Sequence, residues 1–183
     1  MLTTLLPIHL FLRIALECTS VNEAIATFEK LGGPASSQHI LIADSTSGSR
    51  GLEVSPLGSV YLKPNEQGFL SHSNHFLENK FVEEPPWLTG SPGRLSRITE
   101  LCRQIKPEEL VGDDDKDTAA TILRTSVFSD TKGAPQGICG EGEQISTLFN
   151  IVMQFESGKK PYAHVFFGKP NPADVGQKAY MPW

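Results

Sequence analysis

The stretch Gly68–Lys80, GFLSHSNHFLENK, sets Ser71, His72, Ser73, Asn74 and His75 in direct succession behind the apolar Phe69 and Leu70. Hydroxyl, imidazole and amide groups at this density fit three chemistries. They are a nucleophilic Ser with a His base, a His-based metal site, and an oxyanion hole in which an Asn amide donates to developing negative charge. The segment reads as a fourth strand, and on a strand residues two apart share a face. His72 and Asn74 then point one way, and Ser71, Ser73 and His75 the other. That separates the two His, so no metal is expected. A Ser–His pair also needs a third group to orient the base, and none is marked nearby. A strand-end Asn can donate its N–H₂ to an oxyanion. Polar residues also end strands without any chemical role, and spacing alone leaves both readings open.

The elements that must position this cluster follow from hydrophobic period and punctuation. Pro7 fits a first helical turn, and Ile8, Phe11, Leu12, Ala15 and Leu16 recur at helical spacing. Thr19 or Ser20 reads as an N-cap, with Glu23 as the acid of a capping box. A second helix runs through Ala24, Ile25, Phe28 and Leu31 until Gly32-Gly33 stops it. SSQHILIAD, GLEVSP and SVYLKP are short strand patterns separated by the turn signals STSGSRG and PNEQG, an antiparallel meander. In the second of them, alternation sets Leu52 and Val54 against polar neighbours.

Residues 83–93 read as a Pro/Gly-rich loop, and Leu95, Ile98, Leu101 and Cys102 as a helix over Arg94–Ile105. The acidic run GDDDKD lacks the Gly and distal Glu of a calcium loop and reads as a solvated turn. TAATILRTSVF reads as a short helix, residues 133–142 as a Gly-rich loop, and the segment from Ile145 as a hairpin turning at Glu-Ser-Gly-Lys-Lys. Helices segregated from an antiparallel sheet make the class α+β, within one domain of ordinary size. A net charge of -5 supplies no basic footprint, so nucleic acid is not an expected partner. The N-terminal apolar segment is broken by Pro7, His9 and Arg13. It reads as a buried helix rather than a signal peptide or membrane span, and with three scattered Cys it suggests a cytoplasmic protein.

LPIHLFLRIALECTSVNEAI, GGPASSQHILIAD, GLEVSP, SHSNHFL, GSPGRLSRI, GICG and STLFNIVMQFESGKKPYAHVFFGKPNP, in this order and spacing, resemble the C-terminal half of the peptidase C45 family. These are acyl-coenzyme A:isopenicillin N acyltransferase-like proteins. The resemblance implies an N-terminal-nucleophile hydrolase fold, an αββα sandwich of which residues 1–183 would form the C-terminal portion. It implies acyl transfer from a small-molecule amide or acyl thioester through a Cys acyl-enzyme, with coenzyme A thioester as an acyl donor in part of the family and no resident cofactor. Asn74 falls on the family's oxyanion-hole Asn. Ser36, Ser37 and His72 fall at or near the substrate pocket.

The family's nucleophile sits in an Asp-Gly-Cys-Thr setting upstream of the Pro-x-His helix, and none of Cys18, Cys102 and Cys139 replaces it. Relatives also follow the Ile-Cys at Cys139 with Arg, whereas Gly140 stands here. The expectation is a chain that does not turn over alone and that works with an N-terminal chain of the same precursor. The rival expectation is a non-catalytic paralogue serving as a binding or scaffold domain.

Overall fold

The structure is a computed structural model, and it describes residues 5–85, 90–110, 118–130, 138–139, 146–171, 173 and 176–180. Two compact units divide it, Met1–Leu88 and Thr89–Trp183. The architecture is α+β, with helices flanking antiparallel sheets, as the sequence suggested.

In the first unit, helices α1 (Ile8–Ala15) and α2 (Val21–Lys30) precede a meander of β1 (Gln38–Asp44), β2 (Gly48–Ser55) and β3 (Gly58–Leu62). The strands lie in the order β1-β2-β3, with Leu52 opposite Ile40 and Tyr61. Pro7 stands at the N-cap of α1, where its missing N–H costs nothing. The hydroxyl of Ser20 accepts the Glu23 amide at 3.1 Å, which caps α2. The reciprocal arm of the box reaches one residue further back, since the Glu23 carboxylate accepts from the amide and hydroxyl of Thr19. Ser20→Ala should therefore cost about 1 kcal/mol, read from the shift of a urea unfolding midpoint. Gly32 and Gly33 take φ of 91° and 80° and end the helix, because only Gly adopts that region without strain.

Phe11, Phe28, Leu52, Val54 and Ile8 form the core of this unit, with the Phe11 and Phe28 rings 4.2 Å apart. One face of the sheet thus packs on both helices. Asp44, at the end of β1, ties the two layers: its carboxylate accepts the Val21 amide at the start of α2 and the amides of Thr46 and Ser47 in the following turn. Those donors outweigh the effect of burial and hold the Asp44 carboxyl below the usual carboxylate range.

In the second unit, α3 (Gly90–Arg103) leads to a single 3-10 turn, and α4 (Thr118–Ile122) runs on as a π-helical segment over Leu123–Phe128. Strands β4 (Phe149–Gln154), β5 (Tyr162–Phe167) and β6 (Gln177–Tyr180) form a second antiparallel sheet in that order. Arg97 of α3 makes a two-pronged contact with Asp130, at 3.0 and 2.7 Å, beyond the π segment.

Two expectations are corrected. Residues 90–93 belong to α3 rather than to a loop, since Pro92 falls in the first turn, where no N–H is needed. The Gly68–His75 segment is not a strand. Its backbone is held by side-chain acceptors instead of a neighbouring strand: the Asn65 amide oxygen takes the Gln67 and Phe69 amides. The strand β6 was not anticipated. The acidic run at 112–117 and most of the Gly-rich loop at 133–142 lie outside the described residues.

Candidate active site

The polar cluster is built on the face of the meander that turns away from the two helices. Leu52 and Val54 enter the core, so alternation sends Glu53 to the opposite face. A carboxylate there would be expected to meet water, yet Glu53 is fully buried, at 0% exposure. The register sets His39 of β1 and Val60 of β3 on either side of it. The chain from His72 to Asn79 folds over this row and delivers four donors to the carboxylate. One oxygen accepts the His72 ring at 2.8 Å and the Leu77 amide at 2.5 Å. The other accepts the amides of Glu78 and Asn79 at 2.9 and 2.8 Å. Burial alone would raise the Glu53 carboxyl; the Leu77 amide, His72 and the Asn79 and Glu78 amides more than reverse it and hold it low.

Asn79, itself buried, closes the arrangement. Its side-chain amide donates to the carbonyls of Glu53 and Gly58 at 2.9 and 3.0 Å and accepts the Phe81 amide. The His72 ring faces two acceptors, the Glu53 carboxylate and, at 2.6 Å, the Ser73 carbonyl. His39 stacks flat on this ring, with centroids 3.1 Å apart and planes 5° from parallel, and its Nε2 is buried without a hydrogen-bond partner. Gly51 leaves room for that nitrogen; a Cβ there would lie 3.3 Å from it.

Burial first, and then the charge of His72, push His39 down to about 4, with Glu53 opposing. His39 is thus neutral in the fold at pH 7, while its unfolded form takes a proton near 6.5. A depressed His contributes stability that is complete above the unfolded value and is lost as pH falls toward the folded one. The melting temperature should therefore decline between about pH 6.5 and pH 4. His39→Phe should flatten that decline, checked by thermal scans across the interval.

Of the residues marked by the sequence, His72 lies inside this assembly, its side chain 2% exposed. Asn74 stands exposed on the same loop, two residues from His72 and three from Leu77, so the chain is anchored on both sides of it. Ser73 and His75 meet at 3.2 Å, Oγ to Nδ1. Ser36 and Ser37 are exposed on the segment that leads into β1, just ahead of His39. Glu53, His39 and Asn79 were missed by sequence reasoning. A signal did exist for Glu53: its neighbours on the same strand face are Gly51 and Ser55, which are too small to cover a carboxylate themselves.

The surroundings of Cys18 and Cys139 disfavour a thiolate. Cys18 donates to the Ile14 carbonyl at 3.4 Å, and burial with the charges of Glu23 and Glu17 raises its thiol against a weaker pull from Thr27. Cys139 is raised by burial, against weaker opposing effects of Thr147, Lys169 and Arg94. Cys102 is buried on α3. Among the described residues no cluster of His, Cys, Asp or Glu is placed to hold a metal ion. Nor, among them, is any helix long and apolar enough to cross a membrane.

The sequence profile of the family described as "Acyl-coenzyme A:6-aminopenicillanic acid acyl-transferase" matches residues 3–156. The chain belongs to that family. It is also 35% identical, over 175 residues, to the "Acyl-coenzyme A:6-aminopenicillanic-acid-acyltransferase 40 kDa form" of Emericella nidulans, a match covering 92% of this chain. The chain spans 44% of that relative's length. The acyl-transferase family profile includes the helices, the meander and the whole Glu53–His72–Asn79 assembly. The resemblance that SHSNHFL and its neighbouring motifs carried is thereby borne out.

Proposed function

We propose that this chain forms the oxyanion-bearing part of an acyltransferase or amidohydrolase that works through a Cys acyl-enzyme, within an αββα sandwich. The observation that carries the reading is the exposed Asn74 on a loop fixed at both ends, within the residues matched by the acyl-transferase family. The raised thiols of Cys18 and Cys139 and the burial of Cys102 support a nucleophile on another segment of the same precursor. In this reading that Cys passes its thiol proton to its own α-amino group, which ordinarily titrates near pH 8. The thiolate adds to the carbonyl carbon of an acyl-coenzyme A thioester or a small amide. The carbonyl oxygen takes up the negative charge, and the Asn74 N–H₂ donates to it.

Collapse of that intermediate expels the coenzyme A thiolate, which leaves with the proton held by the α-amino group. An acceptor amine, such as that of 6-aminopenicillanic acid, or water then attacks the acyl-enzyme and regenerates the thiol. Ser36 and Ser37 contribute pocket wall from the lead into β1, and His72 shapes the wall from beneath. No resident cofactor is needed, since each step moves only a proton and an acyl group.

A second reading, a non-catalytic binding domain, draws on the outer face of the β4–β5 pair. There Phe149, Ile151 and Met153 are exposed beside Phe167. Apolar faces of this kind commonly seat a partner. Incubating the native protein with an acyl-coenzyme A thioester and 6-aminopenicillanic acid separates the two. Release of free thiol that depends on the protein supports acyl transfer; a thiol signal no faster than the protein-free control favours the binding domain.

A further inference from the structure

We infer that Glu53 is the positioning residue of the site: its buried carboxylate sets the Asn74 loop in the geometry an oxyanion requires. The inference rests on the reading of Asn74 given above and adds to it a residue on another element, β2. Four donors from the loop, the His72 ring and the amides of Leu77, Glu78 and Asn79, converge on one fully buried carboxylate. The Glu53 main-chain carbonyl accepts a fifth bond, from the Asn79 side chain. These contacts flank Asn74 on both sides and skip it, which leaves its own side chain exposed while fixing the backbone that carries it.

The segment is not a strand, and Glu53 takes four of its donors; beside these, Asn79 reaches the Gly58 carbonyl, His72 stacks on His39, and the contacts of Phe76 with Glu84 and of Lys80 with Leu77 lie among exposed groups. Oxyanion stabilisation depends on a donor held in place before charge develops, and a displacement of about 1 Å can cost on the order of 10² in rate. A Gln cannot replace the carboxylate here. Its oxygen would serve one pair of donors while its N–H₂ faced the other pair.

The test is a double-mutant cycle in the native acyltransferase containing this chain, with kcat and KM measured separately. Asn74→Ala sets the reference. Glu53→Gln should lower kcat by about 10–100-fold at nearly unchanged KM, the range expected for a misplaced donor. In the Asn74→Ala background the same Glu53→Gln change should have almost no further effect, because a residue acting through Asn74 has nothing left to position. Hydrogen exchange should accelerate at Leu77, Glu78 and Asn79 while the β1–β3 amides stay protected. If Glu53→Gln does not fold, His72→Phe keeps the stack on His39 and removes one donor. It should give a smaller kcat loss that likewise vanishes with Asn74→Ala.

Full additivity of either variant with a damaging Asn74→Ala would overturn the positioning role and leave the oxyanion reading intact. An Asn74→Ala enzyme as fast as the parent would overturn that reading, and the positioning role with it.

Discussion

Under the proposed oxyanion role, replacing Asn74 by Ala is expected to lower kcat by about 10²–10³-fold, as loss of one such donor does in acyl-transferring enzymes. KM should change little, because the donor is needed where charge develops and not where substrate binds. Stability should change far less than activity, since Asn74 is exposed and the contacts of its loop with the buried Glu53 carboxylate come from His72, Leu77, Glu78 and Asn79. Steady-state kinetics and a denaturant melt on the same preparation check both halves. A variant that loses stability in proportion to its activity would make Asn74 a structural residue.

The largest loss of stability among surface-distant polar residues is expected at Glu53. Glu53→Ala removes an acceptor shared by three main-chain amides and the His72 ring. All four donors would be left in a site from which water is excluded. Each buried donor left without an acceptor costs about 1–3 kcal/mol, so the loss should be a large share of the roughly 5–15 kcal/mol that holds a domain. Urea unfolding of Glu53→Ala should show that drop, and an unchanged midpoint would show that the carboxylate is not the acceptor described. The sign with pH follows from its depressed carboxyl. The contribution of Glu53 is complete above the ordinary carboxylate range and disappears as acid protonates the folded form, so wild type and variant should converge in stability at low pH.

The helices and the meander were legible because local signals and tertiary demand agree there. Ser20, Gly32 and Gly33 cap and stop α2, and Leu52 and Val54 alternate into the core beneath α1 and α2. The Gly68–His75 segment was misread because the apolar Phe69-Leu70 pair running into polar residues, after three short strands, imitates the end of a fourth. What holds the chain that follows it is a carboxylate on β2, a long-range partner that periodicity does not encode. Glu53 was missed for the matching reason. Alternation reports which face a residue takes, and only the folded chain shows that a loop covers that face. Asn74 was singled out by resemblance alone, since a polar residue on an exposed loop looks the same with or without chemistry.

The proposed function places the nucleophile on a Cys of another segment. The direct measurement is peptide mapping by mass spectrometry of the native protein, quenched soon after mixing with an acyl-coenzyme A thioester. The expected result is acyl mass on a Cys at the N-terminus of its own chain, with Cys18, Cys102 and Cys139 unmodified. Acyl mass on any of those three, in proportion to turnover, would contradict it.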